Sequence, residues 1–179
     1  DISEYDKEET LQKEWLNSRG AVIKFSRNSL EIRLIDIQEC ISADISIVWC
    51  LANTIKNIIN GKYSSLDVQE SFTEDELYDI LMGCIINGEE FIIKTKKYLE
   101  FFGINKKECS SRDIWEKIIR DFSFTDKEGN FMNILNYILK EGTVSTRIIK
   151  EYNKEKSPEK NIRKIYRRLC KCLEEDKLF

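Results

Sequence analysis

The sequence predicts a mainly α fold of the α+β type, with a bundle of about seven helices and a short antiparallel β-hairpin or strand pair near the N-terminus. Apolar residues at helical spacing, introduced by capping signals, recur from about residue 42 onward. Runs of β-branched and apolar residues typical of strands occur at residues 21–25 and 30–37. The length of 179 residues suits one ordinary domain, or a helical domain with an appended lobe.

The first predicted elements are a helix and a strand pair. Ser3 is a suitable N-cap for a helix over residues 3–17, whose first turn carries acidic residues that complement the helix dipole. Gly20 then permits a change of direction before the strands. Residues 26–28, between the two strands, form either the tight turn of a hairpin or a bulge in one long strand.

Ser42 is the predicted N-cap of the next helix, which runs to about residue 60 and is followed by Gly61. The residues predicted to face the core from this helix are Ile45, Val48, Trp49, Ala52, Ile55 and Ile59. No clear period is present in residues 62–72, which predicts a boundary there. The predicted domains are therefore a strand-bearing lobe, residues 1–62, and a helical domain, residues 63–179.

The helical domain is predicted from its capping signals and glycines. Thr73 and Glu76 form a capping box, residues 91–102 form the next helix, and Ser110 or Ser111 begins another. A helix ending at Gly142 and a short helix over residues 143–153 follow. Ser157 and the proline after it begin the last helix. The residues of this last helix predicted to turn inward are Ile162, Ile165, Tyr166, Leu169 and Leu173.

Composition argues against several classes of partner. Charged residues make up 34% of the chain but leave a net charge of only −3, which does not predict a nucleic-acid-binding surface. The sequence has no apolar run of 18 or more residues and no basic-then-apolar leader, so it predicts neither a membrane partner nor a signal peptide. Six scattered cysteines without a single histidine predict reduced thiols, and therefore a cytoplasmic protein, rather than a zinc site or a disulfide framework.

One strand carries residues that could support chemistry. Alternation along residues 29–36 places Leu30 and Ile32 on one face and Glu31 and Arg33 on the other. The same parity, continued back through an unbroken strand, adds Arg27 to the charged face. A carboxylate supplies hard oxygen ligands for Mg²⁺, and a guanidinium supplies a planar fork of donors for phosphate oxygens. A salt-bridge ladder on the wet face of a half-exposed strand would produce the same alternation.

These residues resemble the C-terminal strand segment of the glutamate–cysteine ligase family, in its bacterial carboxylate-amine ligase branch. The resemblance runs from about residue 15 to 60 and is most specific in RNSLEIR at 27–33, in DIQEC at 36–40 and in the Ala-Asp pair at 43–44. A weaker helical pattern continues downstream. The resemblance implies that Glu31 is a Mg²⁺ ligand and that Arg33 is a catalytic residue in contact with ATP phosphate. Arg27 is the second predicted cofactor-binding residue.

The same resemblance implies an ATP-dependent ligase that joins a carboxylate to an amine through an acyl-phosphate, with ATP and Mg²⁺ as cofactors. The chain is short for such an enzyme and offers one matching carboxylate. It is therefore expected to be a C-terminal fragment, inactive alone, whose partners are the missing N-terminal part of the same protein and small amino-acid substrates. The strand pair is expected to belong to a larger ligase sheet.

Two other hypotheses require no chemistry from Glu31 or Arg33. One is a helical protein-interaction module, and the other is a regulatory domain that keeps the strand motif only as structure. If partner strands have been cut away, the exposed strand edge is expected to pair with a second copy in a homodimer, or to be covered by the helix predicted at residues 3–17.

Overall fold

The computed structural model describes residues 20–122, 129–154 and 158–179, with side chains from residue 160 in the last stretch. The predicted mainly α fold with a small antiparallel strand pair near the N-terminus is confirmed. The predicted helix at residues 3–17 and the predicted cap Ser157 lie outside the described residues. In chain order, the strands and α-helices are β1 (Ala21–Lys24), β2 (Ser29–Ile32), α1 (Ile41–Ile59), α2 (Leu66–Glu70), α3 (Glu74–Asn87), β3 (Ile92–Ile93), α4 (Lys96–Phe101), β4 (Cys109–Ser110), α5 (Ser111–Arg120), α6 (Gly129–Glu141), α7 (Val144–Tyr152) and α8 (Pro158–Glu175).

The strand pair is a hairpin. β1 and β2 run antiparallel, with Ala21 opposite Ile32 and Lys24 opposite Ser29. The connection is a 3₁₀ turn, Phe25–Arg27, followed by Asn28 in the left-handed conformation at φ 48°. Asparagine tolerates this conformation better than most residues, so the sequence supplies a suitable side chain at the position where the chain reverses. The hairpin alternative is therefore confirmed, and the single bulged strand is not formed.

The described residues divide into two compact units, with the boundary between residues 37 and 38. The hairpin lies in the first unit, and helices α1 to α8 lie in the second. Helix α1 is thus part of the helical unit, whereas the sequence-based division at residue 62 placed it with the strands. Residues 62–72, which showed no clear period, contain the short helix α2. No described helix combines the length and apolar character needed to cross a bilayer.

Helix α1 buries a different face from the predicted one. Its buried residues are Ala43, Ser46, Cys50 and Thr54, all small. Of the six residues predicted to turn inward, Trp49 is half-buried and packs against the main core, and Ile55 is half-buried. The other four are exposed: Ile45, Val48, Ala52 and Ile59. Small side chains let two helices approach closely, and α1 packs along α6. The hydroxyls of Ser46 and Thr54 donate to the carbonyls of Ser42 and Cys50 at 2.6 and 2.8 Å, so neither hydroxyl is buried without a partner.

The start of α1 is fixed by a distant carboxylate. The helix begins at Ile41 after Cys40, so the predicted N-cap Ser42 lies one residue inside the helix, and the prediction was wrong by two positions. The backbone N–H of Ser42 donates to Asp176 Oδ1 at 2.9 Å, and its hydroxyl donates to the other oxygen of the same carboxylate. These hydrogen bonds lower the pKa of Asp176. A negative charge beside the first turn of a helix is favourable to the helix dipole.

The main core lies among α1, α3, α4, α5 and α6. Its largest fully buried side chains include Leu99 and Ile118. Five rings pack beside them, mostly edge to face, with centroids 4.8 to 6.2 Å apart: Tyr63, Phe72, Tyr98, Phe101 and Phe102. The single helix predicted over residues 91–102 was wrong, because β3 pairs with β4 and only Lys96–Phe101 are helical.

The six cysteines are free thiols. Cys40, Cys50, Cys109 and Cys172 are buried, and burial raises the pKa of each, that of Cys50 to about 12. Cys84 is half-buried, and its pKa is also raised by burial. Cys170 is exposed. The buried thiols therefore behave as small apolar side chains, as predicted for most of them.

A buried ion pair joins three distant segments of the helical unit. Glu39 and Arg147 are 4% and 5% exposed, and Arg147 Nη1 donates to Glu39 Oε1 at 2.5 Å. Arg147 also donates to the carbonyl oxygens of Gly142 at 3.0 Å and Phe179 at 3.3 Å. Its guanidinium lies 5.2 Å from the centroid of the Tyr137 ring. The backbone N–H of Phe179 donates to Glu39 Oε1 at 3.3 Å, so this one carboxylate oxygen accepts hydrogen bonds from both the Arg147 side chain and the backbone of Phe179.

Replacing Glu39 by alanine is expected to lower the free energy of unfolding by about 3–5 kcal/mol, because Arg147 would remain buried without its charge partner. The double variant Glu39→Leu/Arg147→Met should recover most of that loss, since it removes both charges at similar volume. Urea denaturation measures both. Glu100→Ala, which breaks the exposed pair with Lys96, is the control and should change stability by less than about 1 kcal/mol. An equal loss in the control would contradict the role of burial.

The predicted capping box of α3 is confirmed: Thr73 Oγ1 accepts from the Glu76 N–H at 3.2 Å, and Glu76 accepts from the Thr73 N–H at 2.9 Å. Thr73→Ala is expected to cost about 1 kcal/mol of stability. Thr95 precedes α4 without a side-chain capping bond, so Thr95→Ala is a matched control that should cost only a few tenths. Thermal unfolding of both variants checks this, and equal losses would refute the capping explanation.

Candidate functional site

The hairpin places Glu31 and Arg33 on one face. Arg33 directly follows β2, and its backbone N–H donates to the Gly20 carbonyl at 2.8 Å, which extends the pairing by one residue. Arg33 Nε donates to Glu31 Oε1 at 2.8 Å. The predicted projection of the two side chains from the same side is therefore confirmed, and the adjacent Leu30 and Ile32 belong to the opposite face.

A third charged residue, which sequence analysis missed, completes the group. Lys24 lies opposite Ser29 in β1, diagonal to Glu31 on the same face, and its Nζ is 3.5 Å from Glu31 Oε2. Arg33, chiefly through its hydrogen bond, holds the pKa of Glu31 below its ordinary value, and Lys24 adds to this. Lys24, Glu31 and Arg33 are called the hairpin charge cluster below. The hairpin register was the signal that could have identified Lys24.

Arg27 does not join this cluster through strand parity. It lies in the 3₁₀ turn Phe25–Arg27, and its side chain is exposed. The expectation that Arg27 continues the charged face was based on an unbroken strand, so it was wrong in its geometry. The turn interrupts alternation because its residues do not point to alternate sides.

The coverage of the two hairpin faces is the reverse of the predicted one. Val22 is buried on the face of the charge cluster, and Lys24 and Arg33 are largely covered there. On the other face, Ile23 and Leu30 are exposed. The prediction that the charged face is the more open one was wrong, because the Lys24 and Arg33 side chains are only 11% and 20% exposed, although Glu31 between them is 44% exposed.

Two further carboxylates, Asp36 and Glu39, follow this strand in the sequence. Asp36 is exposed beyond the end of β2, and Glu39 is committed to the ion pair with Arg147. Across residues 20–122, 129–154 and 158–179, no group of three or more histidine, cysteine, aspartate or glutamate side chains is arranged to hold a metal ion. Glu31, whose pKa is lowered chiefly by its hydrogen bond with Arg33, stays the metal ligand that the resemblance implies.

The protein is mainly α, and its small hairpin carries one carboxylate between two cations. No protein-family model matches the chain, and no solved structure matches it. The chain is similar to a protein of Archaeoglobus fulgidus described as uncharacterized, with 27% identity over 169 residues. The alignment covers 94% of this chain and 38% of that relative, so the chain spans well under half the length of the protein it matches.

Replacing Arg33 by leucine is expected to raise the pKa of Glu31 toward the ordinary glutamate value, because Oε1 loses its hydrogen bond. A lowered pKa in the folded state contributes stability above the ordinary carboxyl pKa. That contribution disappears as the pH falls through the lowered value. NMR titration of the Glu31 carboxyl carbon measures the shift. Arg27→Leu is the control and should leave the titration unchanged, and an equal shift in both variants would contradict the assignment of Arg33.

Proposed function

We propose that this chain is the C-terminal part of an ATP-dependent carboxylate-amine ligase of the glutamate–cysteine ligase type. The observation that carries the proposal is the hairpin charge cluster, in which Glu31 and Arg33 share a strand face at the spacing of the family motif. The resemblance of the surrounding residues supplies the reaction class, and the fold by itself does not.

The cluster suits the roles that the resemblance implies. Glu31 is kept ionised by its neighbours, and its Oε2 has only a 3.5 Å contact with Lys24, which a divalent cation could replace. Arg33 is mounted at the end of a paired strand, so its guanidinium is positioned more rigidly than one on a loop. Bound Mg²⁺ and ATP would supply phosphoryl transfer to the carboxylate, and the amine then displaces phosphate. Arg27, in the turn, stays a second candidate for phosphate contact.

The remaining ligands and the amino-acid pocket belong, under this proposal, to a longer protein. One carboxylate does not hold the metal ions of an in-line phosphoryl transfer, and the relative from Archaeoglobus fulgidus is much longer than this chain. The 179-residue chain alone is therefore expected to be inactive. Six free thiols support a reducing compartment, so we place the parent protein in the cytoplasm.

The test compares the 179-residue chain with the full-length gene product for Mg²⁺-dependent phosphate release from ATP, across pairs of amino acids. The full-length protein should turn over, and the chain alone should not. Glu31→Gln in the full-length protein is expected to lower kcat by at least about 100-fold, because a ligand of the transition-state metal is lost.

Glu100→Gln, an exposed glutamate on α4, is the matched control and should retain activity. Turnover by the 179-residue chain, abolished by Glu31→Gln, would show that the incomplete-site proposal is wrong. Full activity of Glu31→Gln in the longer protein would remove Glu31 from the mechanism.

A non-catalytic interaction or regulatory module is the second candidate, and the open apolar side of the helical unit favours it. Ile162, Tyr166 and Leu173 of α8 were predicted to face the core, but they are exposed. Failure of the full-length protein to bind ATP, measured by calorimetry in the presence of Mg²⁺, would favour this candidate over the ligase.

A further inference from the structure

Helix α1 exposes a continuous apolar stripe along its whole length. Ile41, Ile45, Val48 and Ile59 are 48% to 77% exposed, although each is a residue that normally seeks the core. Ala52 is also exposed and Ile55 is half-buried, and both lie on the same side. These six residues are called the α1 seam. The opposite side of the helix is the small-residue face that packs along α6, so α1 is apolar on two sides.

The spacing of the α1 seam specifies the kind of partner. Its members follow one another at intervals of four, three, four, three and four residues, which is a heptad repeat over the 19 residues of the helix. An apolar heptad stripe is narrower than the face of an ordinary core helix and is typical of a seam between two helices. The partner surface is therefore another helix with a similar stripe.

The seam is symmetric about its own centre. Ile41 and Ile59 are equally far from Cys50, and so are Ile45 and Ile55. Val48 and Ala52 form the innermost pair. A second copy of α1, running antiparallel, would therefore place isoleucine opposite isoleucine in the outer pairs. At the centre it would place Ala52 opposite Val48. A two-fold interface requires this self-complementarity, because the same patch must fit itself.

Charge favours the antiparallel copy as well. The helix carries two charged residues, Asp44 near its start and Lys56 near its end, at equal distances from Cys50. An antiparallel copy brings the acidic end of one helix to the level of the basic end of the other, and the helix dipoles also oppose. Asp44 and Lys56 lie on opposite flanks of the seam. Asp44 of one copy and Lys56 of the other therefore attract each other at long range and do not form a direct ion pair. A parallel copy would place like charges at the same level.

We propose that the α1 seam is a homodimer interface in which two copies of the chain pair through antiparallel α1 helices. The contact is about 28 Å long, the length of the helix, and one helix face lies at the lower end of the size range of specific interfaces. The dimer is therefore expected to be reversible and to depend on concentration. This interface is separate from the hairpin edge and does not depend on the ligase proposal.

Sedimentation of the intact chain over a wide concentration range tests the association. The unchanged chain should shift from monomer to dimer, and Val48→Glu should raise the dissociation constant roughly 100-fold or more, because it places a charge at the centre of an apolar seam. Ile86→Glu, on an exposed isoleucine of α3, is the matched control and should dimerise normally. Circular dichroism must give both variants the helix content of the unchanged chain. A monomer at every concentration, or equal behaviour of the two variants, would overturn the proposal.

Cysteine crosslinking tests the orientation, in chains that carry Cys170→Ser to remove the exposed native thiol. Chains with Ile41→Cys should crosslink to chains with Ile59→Cys when the two are mixed. Neither should crosslink to itself, because the two copies of residue 41 would be about 27 Å apart. Self-crosslinking of either chain, or a dimer without the mixed crosslink, would exclude the antiparallel seam. The latter result would direct attention to the hairpin edge.

Discussion

The buried contact between Glu39 and Arg147 is the constraint on which the arrangement of the helical unit depends. It joins the segment before α1, the middle of α7 and the tail after α8, three places that are far apart in the sequence. Taking two charges out of water is costly, so the contact persists only when all three segments are in place. Loss of any one of them would leave a charge without its environment. Such a contact favours one arrangement of the helices over similar ones, because an arrangement that brings only two of the three segments together leaves a buried charge without all of its partners.

The position of α1 also depends on the segment that follows α8. The Asp176 carboxylate after α8 binds the first turn of α1, and the small residues of α1 then lie against α6. Their hydroxyls bond within the helix, so a partly polar face is buried without unsatisfied groups. Larger side chains would hold the two helices further apart. The larger apolar residues are left on the outer side for this reason, and not because the sequence lacks a hydrophobic pattern.

Local signals in the sequence were read correctly where one segment suffices to decide the structure. The capping box at Thr73, the serine cap predicted at residue 110 or 111 and formed by Ser110, and the alternation of Glu31 and Arg33 each depend on neighbours within three residues. The errors arose where a distant segment decides. Asp176 determines the start of α1, and β4 draws residues 92–93 out of the predicted helix. The stripe of α1 was identified correctly as apolar, but periodicity alone does not say which of two apolar faces meets the rest of the same chain. Nothing local linked Glu39 to Arg147, and Lys24 joined the cluster only once the hairpin register was known.

The buried thiols make this chain its own reporter of local opening. Alkylating reagents attack thiolates that solvent can reach, so Cys170 is open to reagent in the folded protein, whereas Cys40, Cys50, Cys109 and Cys172 are protected. Each protected thiol belongs to a different part of the helical unit. The order in which they become labelled under mild denaturant would therefore rank the local stabilities of the start of α1, its middle, the β4 strand and the end of α8. The labelling rates of these four cysteines therefore report four separate local opening events, and no engineered tryptophan or added dye is needed.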